Sequence, residues 1–203
     1  MRQISERPDE LADLEAAAVA GHAGDGTLAR DLACGPHPEV RAAALGALAR
    51  LGDPDLGPAL LHAFSDQAPA VRRRAVELAA SAPSVPITEV VAALGDPEPL
   101  VAEAACWSLG EREDPAAVEG LAVIALGHSD ALVREAAVAA LGAIGDPRGL
   151  PAVLAATQDK PAVRRRAVLA LAPFEGSEVE SALRRGLEDR DWQVRQAAED
   201  LLA

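Results

Sequence analysis

Aromatic side chains are nearly absent from this chain: two Trp, two Phe and no Tyr among 203 residues, against a hydrophobic share of 50%. The apolar half is therefore small and aliphatic. Alanine, the best helix former and a poor strand former, supplies 47 residues, so an all-β fold is excluded. Cations are scarce too, with 19 basic against 32 acidic residues and a formal charge of -13. Counterion release from a phosphate backbone needs excess Lys and Arg, which excludes nucleic acid as the main partner. Lysine is almost missing: Lys160 stands beside 18 arginines, a bias that reads as the mark of a bacterial genome rather than of a function.

Long apolar runs are lacking. Nowhere do about 18 apolar residues follow one another without a charge or a helix breaker, so no membrane span is expected. Met1 to Glu10 is polar and leads into an amphipathic Ala-rich stretch, so no signal peptide is expected and the chain reads as cytoplasmic. Two cysteines, Cys34 and Cys106, lie far apart without CxxC or metal-ligand spacing; both are expected to be small core residues.

What is present is a repeat. Val40, Val71, Val101, Val133, Val163 and Val194 recur at intervals of 31, 30, 32, 30 and 31 residues, all but Val101 followed by Arg. Four residues after each Val stands Ala44, Ala75, Ala105, Ala137, Ala167 or Ala198. Eight after it come Leu48, Ala79, Leu109, Leu141, Leu171 and Leu202. Offsets 0, +4 and +8 form one stripe of an α-helix. The pairs Asp53-Pro54, Asp114-Pro115 and Asp146-Pro147 place an N-cap acid before proline at a first helical position, marking the start of a preceding helix in each unit. Asp66, Asp96 and Asp189 stand five residues before their Val, Asp159 four and Asp130 three. Such an Asp is placed to cap the coming helix and to meet an Arg of a neighbouring repeat.

The pattern Asp, short gap, Val-Arg-x-x-Ala-x-x-x-Leu, then Gly-Asp-Pro, as in Asp130 to Pro147, resembles the HEAT family, specifically its short bilin-lyase-like (PBS-lyase) repeats. The resemblance covers residues 26–203 and implies an all-α fold: a right-handed α-solenoid of about six helix pairs, a single domain, with residues 1–25 as an N-terminal tail and capping helix. It also implies that the Val-Arg helices line a concave face. Ala102 in the Arg slot and Gly35 in the Asp slot depart from the pattern, and an Asp–Arg ladder is expected to be weakest there.

At 100° per residue, offsets 0, +4, +7 and +8 point into the stack, and +2, +6 and +9 point away from it into the groove. At +2 the series is Ala42, Arg73, Glu103, Glu135, Arg165, Gln196; at +6 it is Gly46, Glu77, Trp107, Ala139, Leu169, Asp200. Trp brings large contact area with few rotors. Trp107 is therefore either the anchor of a binding patch with Glu103, Glu135, Arg73, Arg165 and Leu169 around it, or a core residue tilted into the repeat interface. Trp192 is expected to cover the C-terminal end. The triplets Arg72-Arg73-Arg74 and Arg164-Arg165-Arg166 oppose the dipole of their first helical turn; loop aspartates Asp66, Asp96 and Asp159 are the expected partners, leaving a groove that reads positive, negative, negative, positive.

Catalysis by a nucleophile needs a base within reach, and a metal site needs three or four converging ligands. His22, His37, His62 and His128 fall on different repeats, and none begins the His-Glu dipeptide that supplies iron ligands in HEAT-like hydroxylases. Gly21, Gly24 and Gly26 do not lead into Gly-Lys-Ser or Gly-Lys-Thr. Glu111, Glu113 and Asp114 read as turn and cap residues. No catalytic residue, metal or cofactor is expected. The leading reading is a non-enzymatic scaffold or adaptor holding a protein or peptide on the concave face. The alternatives are a tetrapyrrole lyase or pigment chaperone, implied by the bilin-lyase resemblance, and a regulatory domain for an enzyme.

Overall fold

The computed structural model describes the backbone of residues 7–203 and the side chains from Asp9 onward. The first part of the expected tail, residues 1–6, lies outside the described residues. Among them there are thirteen α-helices, three short 3-10 turns and no strand. The fold is an α-solenoid built of helix pairs, as the 0, +4, +8 stripe requires.

The chain packs as two compact units, one through Glu89 and one from Val90 on, the division falling within the helix Ile87–Ala92, α6. In the first unit α1 (Arg7–Ala23) lies on α2 (Gly26–Ala33) and α3 (Pro38–Leu51), and α4 (Leu56–Ala63) pairs with α5 (Pro69–Ala79), which packs on α3. Ala17 and Ala20 of α1 are buried against Val40, Ala44, Ala47 and Leu48, so α1 covers the open side of the first pair. A two-helix unit is too thin to hide its own apolar side, and such a cover is what an end repeat needs.

In the second unit α7 (Pro99–Arg112), α9 (Ala131–Ile144), α11 (Pro161–Ala170) and α13 (Trp192–Leu202) form a row, each against the next. Behind them α8 (Val118–Gly127), α10 (Leu150–Ala156) and α12 (Ser177–Gly186) are the first members of their pairs. Two of the three expected Asp-Pro starts are in place; at the third, α4 begins only at Leu56 after Asp55, because Asp53 turns the loop by accepting from Asp55 N at 2.9 Å instead of capping a helix at Pro54. Asp114 and Asp146 accept backbone N–H groups of Ala116 and Arg148, each at 2.9 Å, opening 3-10 turns that run into α8 and α10. Gly52 and Gly145 end α3 and α9 in the left-handed conformation, with φ 61° and 66°. At the matching end of α7 stands Glu113, which adopts the same conformation with φ 49° despite its Cβ.

All six Val and all six +4 Ala of the repeat are at most 1% exposed. The +8 position is equally buried except at the last repeat, where Leu202 is 43% exposed. Helical geometry misplaced part of one row. At +9, Ala172 is exposed as expected, but Gly110 and Gly142 face the next helix rather than the groove: Gly110 is buried, and a Cβ on it would lie 3.1 Å from Ala140 Cα; one on Gly142 would lie 2.7 Å from Ala170 Cα. These glycines let successive inner helices approach backbone to backbone. The wheel treats each helix alone, whereas the neighbour's direction decides which flank of the stripe is covered.

Candidate protein-binding face

The inner helices are tied at their N-terminal loops by arginines at the position after the repeat Val. Arg41 grips Asp66 with two bonds, Nε at 2.8 Å and Nη2 at 2.7 Å; Arg134 does the same with Asp159 and Arg164 with Asp189. The bonded guanidinium holds each of these carboxyls below the usual carboxylate range. The expected Asp–Arg ladder is thus built, but Asp130 is not a rung. It caps α9 by accepting from Leu132 N at 2.8 Å, and His128 takes the loop slot, its Nδ1 accepting from Asp130 N at 3.1 Å as Asp66 accepts from Ala68 N. The repeat that lacks the arginine, at Ala102, is followed by a loop that lacks the aspartate.

The remaining arginines of the triplets find glutamates rather than loop aspartates. Arg73 Nε meets Glu77 at 2.8 Å and Arg74 meets it at 3.2 Å. Glu135 takes Arg166 at 3.5 Å and Arg165 at 3.8 Å. Arg165 also reaches Gln193 Oε1 at 3.5 Å, linking α11 to α13.

Of the residues singled out in the sequence, Glu103, Trp107, Glu135, Arg165 and Leu169 lie on the inner helices of the second unit, whereas Arg73 belongs to the first. Glu135 and Arg165 are brought together as an ion pair. Trp107 is 49% exposed, so it stands on the open face of α7 and not in the core. Leu169 is 39% exposed on α11. Glu103, half-buried one turn before Trp107, makes no ion pair among the described residues. The alternating charge read along the groove is therefore largely cancelled in place; the exception is the negative charge of Glu103. Sequence reasoning missed Leu100, 49% exposed, which precedes Trp107 by seven residues and shares its face. That spacing was the available signal. Trp192, expected to cover the C-terminal end, is 64% exposed at the start of α13.

The cysteines divide. Cys106 is core, its Sγ 3.9 Å from the Val133 carbonyl, and burial pushes its thiol up to about 12. Cys34 is exposed, because it is the C-cap residue where α2 runs out. It borders a cleft of about 620 Å³ between α2 and α4, lined also by Arg30, Arg41, His62 and Asp66, whose arginines are engaged by Asp53 and Asp66. Among the described residues no three or more His, Cys, Asp and Glu side chains converge as metal ligands, and no helix is long and apolar enough to cross a membrane.

The sequence profile of HEAT repeats matches residues 2–82 and 87–172, most of the chain. The protein belongs to the HEAT-repeat family. No curated protein matches this HEAT protein in sequence. Among solved structures it is similar to YibA of Escherichia coli at 19% identity, with 100% of this chain and 76% of that one covered and a TM-score of 0.69. It is similar to the CpcE–CpcF complex of phycocyanin lyase from Nostoc sp. PCC7120 at 21% identity, covering 87% and 75%, with a TM-score of 0.65. A designed armadillo repeat protein in complex with peptide (KR)4 is similar at 16% identity, covering 87% and 97%, with a TM-score of 0.63. At these identities the likeness is one of fold.

Proposed function

We propose that this HEAT-repeat chain is a non-enzymatic binding protein that holds a segment of another protein on the open face of the α7, α9, α11, α13 row, with Trp107 as anchor. The observation that carries the reading is the half-exposed indole in the middle of a helix whose opposite stripe, Val101, Ala105 and Leu109, is fully packed. A rigid helix presents the ring at no ordering cost of its own, and Trp is the residue most enriched at binding hot spots. Leu100 and Leu169 add exposed aliphatic surface on the same row. Repeat proteins of this architecture include one bound to a peptide and one assembled with a second subunit, in keeping with a docking role. The tetrapyrrole reading has the fold likeness to phycocyanin lyase behind it and no side chain of this protein.

The test is a two-step capture. Partners retained by the wild-type protein and identified by mass spectrometry are titrated against Trp107→Ala and Trp192→Ala. Loss of about 2 kcal/mol, roughly thirtyfold in Kd, with Trp107→Ala alone is the expected result. Equal affinity for wild type and Trp107→Ala removes the anchor; a bilin or haem absorbance band on titration with pigment would favour the lyase-like reading instead.

A further inference from the structure

Leu100, Glu103 and Trp107 share the open face of α7, spaced by three and four residues so that each lies about one turn from the next. Leu100 and Trp107 are both 49% exposed. The acid between them carries no paired cation among the described residues, and the exposed Glu111 follows one turn beyond Trp107 on the same side. Glu77 on α5 and Glu135 on α9 are each held by two arginines, whereas Glu103 has no cation paired with it among the described residues. The neighbouring helix supplies none, since α9 carries Ala136, Ala139 and Ala143 along its open side after Glu135.

We propose that Glu103 and Trp107 together receive a basic side chain, Arg or Lys, of the protein segment that docks here. This deepens the reading of Trp107 as anchor and rests on it. The face of an indole carries negative charge density and attracts a cation lying over it, and a carboxylate one turn away supplies the counter-charge. The field around the site has the same sign: from Val90 on, the chain carries 19 acidic and 11 basic residues. An apolar side chain pressed on Trp107 would cover Glu103 and strand its charge, and an acidic one would face it directly, so both are disfavoured. A guanidinium or ammonium satisfies both groups at once, and Leu100 offers its stem or an apolar neighbour a surface to lie on.

The experiment uses Trp107 as its own reporter. In the full chain carrying Trp192→Phe, the indole at 107 is the sole tryptophan. Its emission is followed while a capped hexapeptide of alternating Leu and Arg is added, and in parallel the Leu-Gln counterpart. The proposal expects the Arg peptide to change Trp107 emission saturably, Glu103→Gln to weaken it tenfold or more, and Glu188→Gln, an exposed acid elsewhere in the unit, to change it less than twofold. Equal weakening by the two Gln variants would mean diffuse attraction and overturns the proposal. If the Leu-Gln peptide binds Trp107 as tightly as the Leu-Arg one, the anchor stands and the cation preference falls. If neither peptide alters Trp107 emission, the proposal falls, and if Trp107→Ala also leaves the captured partner's affinity unchanged the anchor falls with it.

Discussion

Arg134 binds two loops at once: its Nε and Nη2 grip Asp159 at 2.7 Å each, while Nη1 donates to the carbonyls of His128 and Ser129 at 2.8 and 3.2 Å. One guanidinium thus fastens the loop before its own helix to the loop before the next. Arg41 repeats the arrangement with Asp66 and the Gly35 and Pro36 carbonyls, and Arg164 with Asp189 and the Asp159 carbonyl. The planar fork is what permits it; lysine, a point charge, offers no two-pronged grip.

Acid should loosen these stitches. Asp66, Asp159 and Asp189 titrate below their ordinary value in the folded chain because of their arginines. A depressed folded pKa means the unfolded chain takes up the proton first. The stabilisation is therefore complete above the unfolded value of about 3.9 and is lost as pH falls through the folded values. Urea midpoints should be flat from about pH 5 upward on this account and drop below about pH 4. Asp159→Asn should cost about 1.5 to 3 kcal/mol at pH 7 and flatten that acid limb; a limb as steep as wild type would show that this pair does not contribute to it.

The missing rung at Ala102 and His128 makes a second prediction. Ala102 is fully buried, so Ala102→Arg alone should destabilise by about 2 kcal/mol or more through an unpaired buried charge. Adding His128→Asp should recover about 1 to 3 kcal/mol of that loss by completing the rung. Denaturant melts of the four proteins of the cycle measure the coupling, and strict additivity would refute the slot assignment.

Glu113 supplies a third. It occupies the left-handed position that Gly52 and Gly145 fill in their repeats. Glu113→Gly should stabilise the fold by about 0.5 to 1 kcal/mol, because glycine adopts that conformation without a Cβ clash. Calorimetry would register this as a higher Tm; an unchanged or lower Tm would mean the side chain or the unfolded chain offsets the strain.

The period, the buried stripe and the Asp-Pro starts at Asp114 and Asp146 could be read directly, since each is a local pattern fixed by helical geometry. Glu103, Glu135, Arg165 and Leu169 were likewise placed on the inner helices by their offsets. What escaped depends on neighbours. His128 serves as a loop acceptor through Nδ1, a role that its residue type does not announce in a slot held elsewhere by aspartate. Glu135 drew two arginines because α9 and α11 lie side by side, and Gly110 and Gly142 turned toward the next helix for the same reason. Cys34 emerged at the surface because α2 is only eight residues long.

On α7, Val101, Ala105 and Leu109 are committed to packing, while Leu100, Glu103 and Trp107 look outward. The two alphabets are interleaved in one helix yet spelled independently. A lineage, or a protein engineer, is free to rewrite the outward letters and change what the helix recognises while the grammar that keeps it folded is left untouched.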